Sequence, residues 1–504
     1  MAVRTLLGID LGAGSLKVSA VSPDGRLLAE ASHPIETRIP AFGWAEQDPE
    51  RWWQALCVAL PKALAAAQTA PEDVAGIAVS AGAHIPVLLD EVDRVIRPAI
   101  LWSDQRSAVE ARELHERAGE TIIATSLNRV NPTWSLAMLL WLSRNEPKAV
   151  RRTRKLMLAK DYLRFRITGT WQTDYSDVIG ALMADHRTRS WSPELARLID
   201  WPVETLPPVV EPTALVGGVT PAAAEALHLK AGTPVACGSN DTTVEFFGIG
   251  ATRPGMAAIK LATAGVLFLA TDGPVVKPPI SCYPHIVAGL YYLATGTNSC
   301  ASAHRWLRDQ MFLAPGGDGG ASFAEMDRLA ATVPPGAEGL LFHPYLQGER
   351  APYWDPLLRA DFVGLTMRHG QAHFARALYE GIAFSIRDLL ETAKGFGLRF
   401  GATRLIGGGA RSATWRQIMA DVTGLLIEKP ENADASFGAA LLAGIGTGIF
   451  NSPEDAVARC VRIVGSAEPD AGRHRFYSEL FAIYKDAQAA LAPIDHRLHA
   501  LAAS

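Results

Sequence analysis

Leu6-Leu7-Gly8-Ile9-Asp10-Leu11-Gly12-Ala13-Gly14-Ser15-Leu16-Lys17-Val18-Ser19-Ala20 decides how the rest of the chain is read. It reads as strand, tight glycine turn, strand. Gly12 and Gly14 are expected to take backbone angles that a Cβ forbids. Asp10 puts a carboxylate at the end of an apolar strand, against the amides of the turn. That pattern is either a hairpin with a satisfied turn aspartate or a place for a metal-bound phosphate, amides to the phosphate oxygens and carboxylate to the cation.

The pattern returns at Met256 to Ala270, Met-Ala-Ala-Ile-Lys-Leu-Ala-Thr-Ala-Gly-Val-Leu-Phe-Leu-Ala. Ile259 matches Ile9, Leu261 matches Leu11, and Thr263 stands at the place of Ala13. Two copies that halve the chain indicate an internal duplication. A length of 504 residues exceeds one core, so two domains are expected, 1–250 and 251–504, joined near 246–256. Gly248, Gly250 and Gly255 are expected to lend that junction hinge freedom, with the halves closing on a bound substrate.

Composition excludes several classes. Hydrophobic residues make up 48% and charged residues 20%, ordinary for a globular protein, and the net charge is −4. The short basic run Arg151, Arg152, Arg154, Lys155 reads as a solvated helix end, so no nucleic-acid partner is expected. The most apolar windows fall short of about 20 residues, so no membrane span is expected. The chain runs into its first strand without a leader-like segment, and its five scattered cysteines lack a Cys-x-x-Cys. Reduced thiols and a cytoplasmic location follow as expectations.

Further along, Asp48-Pro49 starts a helix over Glu50 to Gln68 that Pro61 should kink. Trp44, in the loop before it, is a packing residue or a sugar platform. Val74 to Ser80 is an apolar strand that breaks at Ala83-His84. His84 is a core histidine or a binding residue. Asp104 is placed to cap a helix over Ser107 to Ala118 that ends at Gly119. Asp174 to Gly180 reads as a polar loop able to line a cleft. Thr233 to Val244 is a buried strand, a Gly-Ser-Asn loop and a helix from about Asp241. Asp241 is either that helix's cap or an ionised general base. Pro315 to Gly320 reads as a glycine-rich mobile loop. Thr403 to Trp415 is strand, Gly407-Gly408-Gly409, helix, which lets a flat ring or a phosphate approach the backbone.

Seven stretches, in this order, resemble the FGGY family of carbohydrate kinases. They are Gly8-Ile9-Asp10-Leu11-Gly12, Trp44-Ala45-Glu46-Gln47-Asp48-Pro49, Ala99-Ile100-Leu101-Trp102-Ser103-Asp104, Lys160-Asp161-Tyr162-Leu163, Asn240-Asp241, Leu346-Gln347-Gly348-Glu349-Arg350 and Leu405-Ile406-Gly407-Gly408-Gly409-Ala410-Arg411-Ser412. The resemblance covers almost the whole chain and is nearest to the family's kinases of xylulose. It implies an α/β fold of two actin-like (ribonuclease H-like) ATPase domains, each a five-stranded mixed sheet with helices, with the catalytic cleft between them. The first half would bind sugar and the second ATP. The implied reaction is ATP-dependent phosphorylation of a ketopentose, D-xylulose to D-xylulose 5-phosphate.

The same resemblance assigns roles by position. Asp241 is the catalytic base and Asp10 holds Mg²⁺. Gly12 and Thr263 belong to the phosphate loops, and Gly408, Gly409 and Ser412 to the adenosine pocket. Ala83, His84, Asp241 and Thr242, with Trp44 and Asp104, fall on the sugar side. Partners are then a small sugar and ATP, with a homodimer left open. The chain departs from the family's usual residues at Ala13, Ala83, Ile85, Met138, Thr242 and Ala264. The sugar-side departures keep two alternatives in view. One is a kinase of another ketose or polyol, such as ribulose, erythritol or a glycerol-like acceptor. The other is an actin-fold ATP-binding protein without sugar transfer, against which the retained Asp241 argues.

Overall fold

A computed structural model describes residues 4–278, 280–312 and 322–502. The expected mobile loop over Pro315 to Gly320 lies outside the described residues. In chain order, the elements that position the site are β1 (Thr5–Leu11), β2 (Ser15–Val21), β3 (Leu27–Pro34), α1 (Pro49–Ala66), β4 (Val74–Ala81), α2 (Ala159–Thr168), α3 (Tyr175–Gly180), β5 (Leu215–Gly218), β6 (Pro234–Ala236), β7 (Ser239–Asn240) and α4 (Asp241–Gly248). The second repeat supplies β8 (Ala257–Leu261), β9 (Gly265–Thr271), β10 (Tyr291–Thr297), α5 (Ala301–Met311), α6 (Gln371–Gly395), β11 (Thr403–Ile406), α7 (Ala413–Thr423) and β12 (Ile427–Pro430). The chain ends with α8 (Ala435–Gly446), β13 (Ile463–Ala467) and α9 (Ala471–Ala502).

The first sheet runs β3-β2-β1-β4-β6-β5, with β7 beside β4. β1 is antiparallel to β2 and parallel to β4, β4 is parallel to β6, and β6 is antiparallel to β5. The second sheet runs β10-β9-β8-β11-β12-β13, with a seventh strand, Ser281–Pro284, beside β10. There β8 is antiparallel to β9 and parallel to β11, β11 is parallel to β12, and β12 is antiparallel to β13. The order and the sense of these pairings repeat strand for strand, which is the duplication expected from the two hairpins. Each sheet has seven strands rather than the expected five: β5 and β13 add an antiparallel edge, and β7 in the first sheet and Ser281–Pro284 in the second supply the other extra strand.

The division of the chain is less simple than a cut near 250. One compact unit comprises Met1–Thr252, Thr271–Tyr292 and Asn432–Val461; the other comprises Arg253–Ala270, Leu293–Glu431 and Arg462–Ser504. In the first unit, side chains on β1 alternate between two faces. Leu7 and Ile9 pack with Trp52, Leu56 and Leu60 of α1, while Leu6 packs with Ala439, Ala440 and Leu442 of α8. α8 can lie so close only because Gly8 has no side chain: a Cβ there would stand 1.7 Å from the Ser436 carbonyl oxygen. Close packing of this kind draws a late segment of chain onto the first sheet. Gly248 is used likewise, its absent Cβ facing the Gly438 Cα at 2.9 Å. Of the three junction glycines, Gly250 and Gly255 have positive φ, 90° and 83°.

Some local expectations hold. Asp48 caps α1 by accepting from Glu50 N, and Pro49 is its first residue. Others do not. The helix expected to stop at Gly119 is Ala108–Ser126; it merely kinks at Ala118 and ends at Leu127, which takes φ 66°. Asp174 to Gly180 is no loop. Asp174 caps α3 by accepting from Ser176 N and Asp177 N, and the whole turn is buried.

Candidate functional site

The chemistry of the first unit gathers at the end of β1. Asp10 sits half-buried one residue before the strand ends and pairs in register with Ser80 of β4. The Ser80 hydroxyl donates to Asp10 Oδ1 at 2.7 Å. Burial, then the charges of Asp241 and Asp434, push the Asp10 carboxyl up to about 8; Glu245 adds to the rise and the Ser80 bond opposes it. Asp434 caps α8, accepting from Ser436 N at 3.0 Å, and its Oδ2 receives the Lys17 ammonium at 2.7 Å. Burial would raise Asp434, but Lys17 and Ser436 hold it below the usual carboxylate value. Four carboxylates thus crowd one strand end, where Lys17 bonds Asp434. Among the described residues no three acidic, histidine or cysteine side chains stand at metal-ligating spacing.

Asp241 is the first residue of α4, but it is not the cap. Asn240 is, its side chain accepting from Thr243 N at 2.9 Å. The local choice between cap and base is therefore decided against the cap. Asp241 Oδ1 accepts instead from Thr242, at 2.6 Å from the amide and 3.1 Å from the hydroxyl.

His84 occupies the strand break with φ 48°, a left-handed conformation uncommon outside glycine. Two bonds hold it there: its N–H donates to Asp177 Oδ1 at 2.7 Å, and its carbonyl accepts from the Ser135 hydroxyl. The ring stacks on Trp134 at 5.1 Å, Trp134 on Tyr283 at 5.8 Å, and Tyr283 on Tyr292 at 5.2 Å. Burial pushes the imidazole down to about 4, so it is neutral, and its buried Nδ1 has no hydrogen-bond partner among the described residues. Ala83 shares this turn, partly buried beside it.

Trp44 and Asp104 meet over Arg106. The guanidinium carbon lies 3.8 Å from the Trp44 ring centroid, and Trp141 meets Trp44 edge-on at 5.4 Å. Asp104 is buried and does not cap the following helix. Its oxygens accept from Ala45 N at 2.6 Å, Arg106 N at 2.8 Å, Arg106 Nε at 2.9 Å and Arg106 Nη2 at 2.8 Å. Those four bonds match the lone-pair capacity of a carboxylate. The pair is an ionic and aromatic clamp on its own loop, completed by Glu46, which accepts from Arg106 Nη1 at 2.7 Å.

Gly12 differs from expectation in its conformation. Neither it nor Gly14 has positive φ, and the Gly12 N–H is spent within the hairpin on the Ser15 carbonyl at 3.0 Å.

In the second unit, the exposed Thr263 tops the β8–β9 turn. Its carbonyl accepts from Cys300 N at 3.1 Å and from the Ser302 hydroxyl at 2.8 Å, which ties the turn to the start of α5. The three glycines after β11 do different work. Gly407 has φ 83° and lies under β8, where a Cβ would come 2.6 Å from the Leu261 carbonyl oxygen. Gly409 is pressed between Leu261 and Trp415, while a Cβ on Gly408 would meet nothing within 4 Å. Gly408 alone offers open backbone. Ser412 caps α7, accepting from Trp415 N at 2.8 Å, and its hydroxyl donates to Asp327.

Sequence reasoning missed Ser80, Asp434, Glu245 and Lys17. Asp434 was findable as a cap before Ser436. The other three carry no local signal, because strand pairing and helix packing bring them to Asp10. Among the described residues no helix is long and apolar enough to cross a membrane.

Repeated mixed sheets of this order, one bearing a carboxylate cluster and the other a hydroxyl- and glycine-bearing turn, define a two-domain actin-like ATPase fold. The chain belongs to the FGGY family of carbohydrate kinases: the family's N-terminal domain matches residues 5–248 and its C-terminal domain residues 257–447. It is 33% identical over 478 residues to the xylulose kinase of Escherichia coli, covering 94% of this chain and 96% of that one. It is 31% identical over 487 residues to the xylulose kinase of Bacillus subtilis, covering 96% of each. The crystal structure of xylulose kinase from Rhodospirillum rubrum matches with a TM-score of 0.88 and 30% identity, over 98% of this chain and 100% of that one. As a carbohydrate kinase the protein takes a sugar and ATP as substrates.

Proposed function

We propose that this protein transfers the γ-phosphoryl group of ATP to a hydroxyl of a ketopentose, converting D-xylulose to D-xylulose 5-phosphate. The acceptor is taken from the xylulose kinases to which the chain is similar. The observation that carries the reading is the state of Asp241, a carboxylate at a helix start whose capping duty falls to Asn240. Asp241 takes the proton of the sugar hydroxyl as that oxygen bonds to the γ-phosphorus, while the bond to the β,γ-bridging oxygen breaks and ADP leaves. Such transfer needs positioning and charge neutralisation rather than a covalent intermediate.

His84, Ala83 and Thr242 take the sugar side. The neutral His84 ring has Nδ1 available to a sugar hydroxyl. Thr263 and Gly12 belong to the phosphate turns, and Gly408, Gly409 and Ser412 to the nucleotide. Trp44 and Asp104 support the sugar side through their loop. The acidic cluster fits Mg²⁺, an ion usually bound by one or two carboxylates together with substrate phosphates; Asp10 first among these carboxylates would hold it. Bound there, the ion would neutralise phosphate charge. Sugar binding is expected to draw both halves onto one phosphoryl group, which small-angle scattering reads as a fall in radius of gyration. A reducing cytoplasm suits the five free cysteines.

The test is ADP release from ATP with a panel of pentuloses, hexuloses and polyols. D-xylulose should give the highest kcat/KM. A polyol or hexulose above it would replace the acceptor, and ADP release independent of every acceptor would overturn sugar transfer.

A further inference from the structure

Beneath the His84 turn and the Asp241 helix lies a buried charged cluster that the reaction itself does not use. Lys160, the second residue of α2, is fully buried. Its ammonium lies 2.5 Å from Asp161 Oδ1, 3.0 Å from Asp174 Oδ1 and 3.9 Å from Asp177 Oδ2. Burial alone would lower its pKa, but Asp161 and Asp174 raise it, so the ammonium stays charged. Arg164 reaches the same group through Asp161 at 3.4 Å. Isolated charges are not left in an interior at this depth; they persist because each is paired.

Each of two acids facing Lys160 holds a different functional segment. Asp177 accepts from the His84 N–H at 2.7 Å and thereby fixes the left-handed residue of the sugar-side turn. Asp174 accepts from the Ser239 hydroxyl at 2.8 Å, two residues before Asp241. α3, which Asp174 caps, sends the Ser176 hydroxyl to Thr243 at 2.9 Å, two residues after Asp241. Asp241 is thus bracketed on both sides by bonds that lead back to Asp174.

We propose that Lys160 is a positioning residue that couples two arms of the first unit, one through Asp177 to His84 and one through Asp174 and Ser239 to Asp241. The inference rests on the roles proposed above for those two residues. Without the ammonium, Asp174 and Asp177 lose the donor that stands between them, with burial already holding the Asp177 carboxyl well above the usual carboxylate range, and the two acids either share a proton or move apart. Either response shifts the His84 turn and the Asp241 helix together. A displacement near 1 Å at a reacting group costs on the order of 10²-fold in rate.

The arms separate kinetically. With ATP and D-xylulose in an ADP-release assay, Asp177→Asn should raise KM for the sugar and leave kcat within about threefold, because only the His84 arm is loosened. Ser239→Ala should lower kcat with the sugar KM nearly unchanged. Lys160→Met should do both, by on the order of 10²-fold in kcat/KM, and Lys160→Arg should recover part of each. Unchanged kinetic constants in Asp177→Asn and Ser239→Ala would overturn the proposal, whether or not Lys160→Met folds. So would a Lys160→Met enzyme that loses thermal stability but keeps both constants. Failure of the underlying reading is seen separately: if Asp241→Asn turns over like the parent, the base assignment falls, whereas the Lys160 proposal fails on the two arm variants or on Lys160→Met.

Discussion

The two hairpins, β1–β2 and β8–β9, have the same pairing but not the same chemistry. At the third place from the end of each first strand stand Ile9 and Ile259, both buried in their cores. One residue on, Asp10 in the first hairpin is answered by Lys260 in the second, and one residue back, Gly8 is answered by Ala258. In the first sheet the neighbour of Asp10 on the parallel strand is Ser80, whose hydroxyl bonds it; in the second the neighbour of Lys260 is Ile406. After duplication the apolar positions kept the sheet, and the strand end was free to carry an acid in one copy and a base in the other. An acid cluster suits a cation and a proton acceptor, while a cationic strand end beside hydroxyl and amide donors suits phosphate.

The strongest way to break this contrast is at the acid end. Asp241→Asn should reduce sugar-dependent ADP formation by about 10²–10⁴-fold, the usual cost of losing a general base, with the thermal unfolding curve close to the parent's. A variant keeping more than half its turnover would remove Asp241 as the base. Asp10→Ala should cost less and in a different way: raising Mg²⁺ should restore part of the rate. The matched change, Lys260→Met, should leave the Mg²⁺ dependence as it is in the parent. Equal metal dependence in all three proteins would reduce Asp10 to a turn residue.

Packing sharpens the same comparison. Gly8→Ala places a methyl 1.7 Å from the Ser436 carbonyl oxygen and 2.6 Å from Ala440 N, so α8 must move. The expected loss is about 1–3 kcal/mol or more in urea unfolding. The converse Ala258→Gly costs only about 0.5–1 kcal/mol, the usual price of backbone freedom in a strand. Equal losses would mean that the two sheets are covered alike.

Acid gives a smaller, graded difference. Burial pushes His84 down to about 4 and His285 to about 3 in the first unit, and His304 to about 4 in the second. Below the ordinary histidine value of 6.5 the unfolded chain binds protons that the folded chain refuses, so stability present above that value is lost as pH falls. Thermal unfolding followed between about pH 6.5 and 4 should show Tm falling. His285→Gln should flatten that slope more than His304→Gln. A Tm independent of pH in this window would show that the buried rings are protonated in the fold.

The local code was enough for much of this. The apolar strand-turn-strand pattern of the two hairpins and the Asp48-Pro49 helix start act within a few residues, so they are legible in order along the chain. The repeated hairpin was legible for the same reason, and with it the duplicated sheet. Motif order singled out Asp10, Asp241, His84 and Gly408 as candidates for the site. What the sequence left open were choices between partners distant along the chain. Asp241 and Asn240 are both good caps by composition, and only the helix geometry assigns the cap to Asn240. Asp104 looked like a cap, yet Ala45 and Arg106 claim its oxygens across the loop. The segment around Asp434 belongs to the first unit because Gly8 leaves α8 room to touch β1, and the Lys160 cluster forms because α2, α3 and β7 converge beneath the His84 turn. Hydrophobic period and turn chemistry are short-range; the charge on a buried group and its hydrogen-bond partners depend on everything packed around it, and that only the tertiary structure decides.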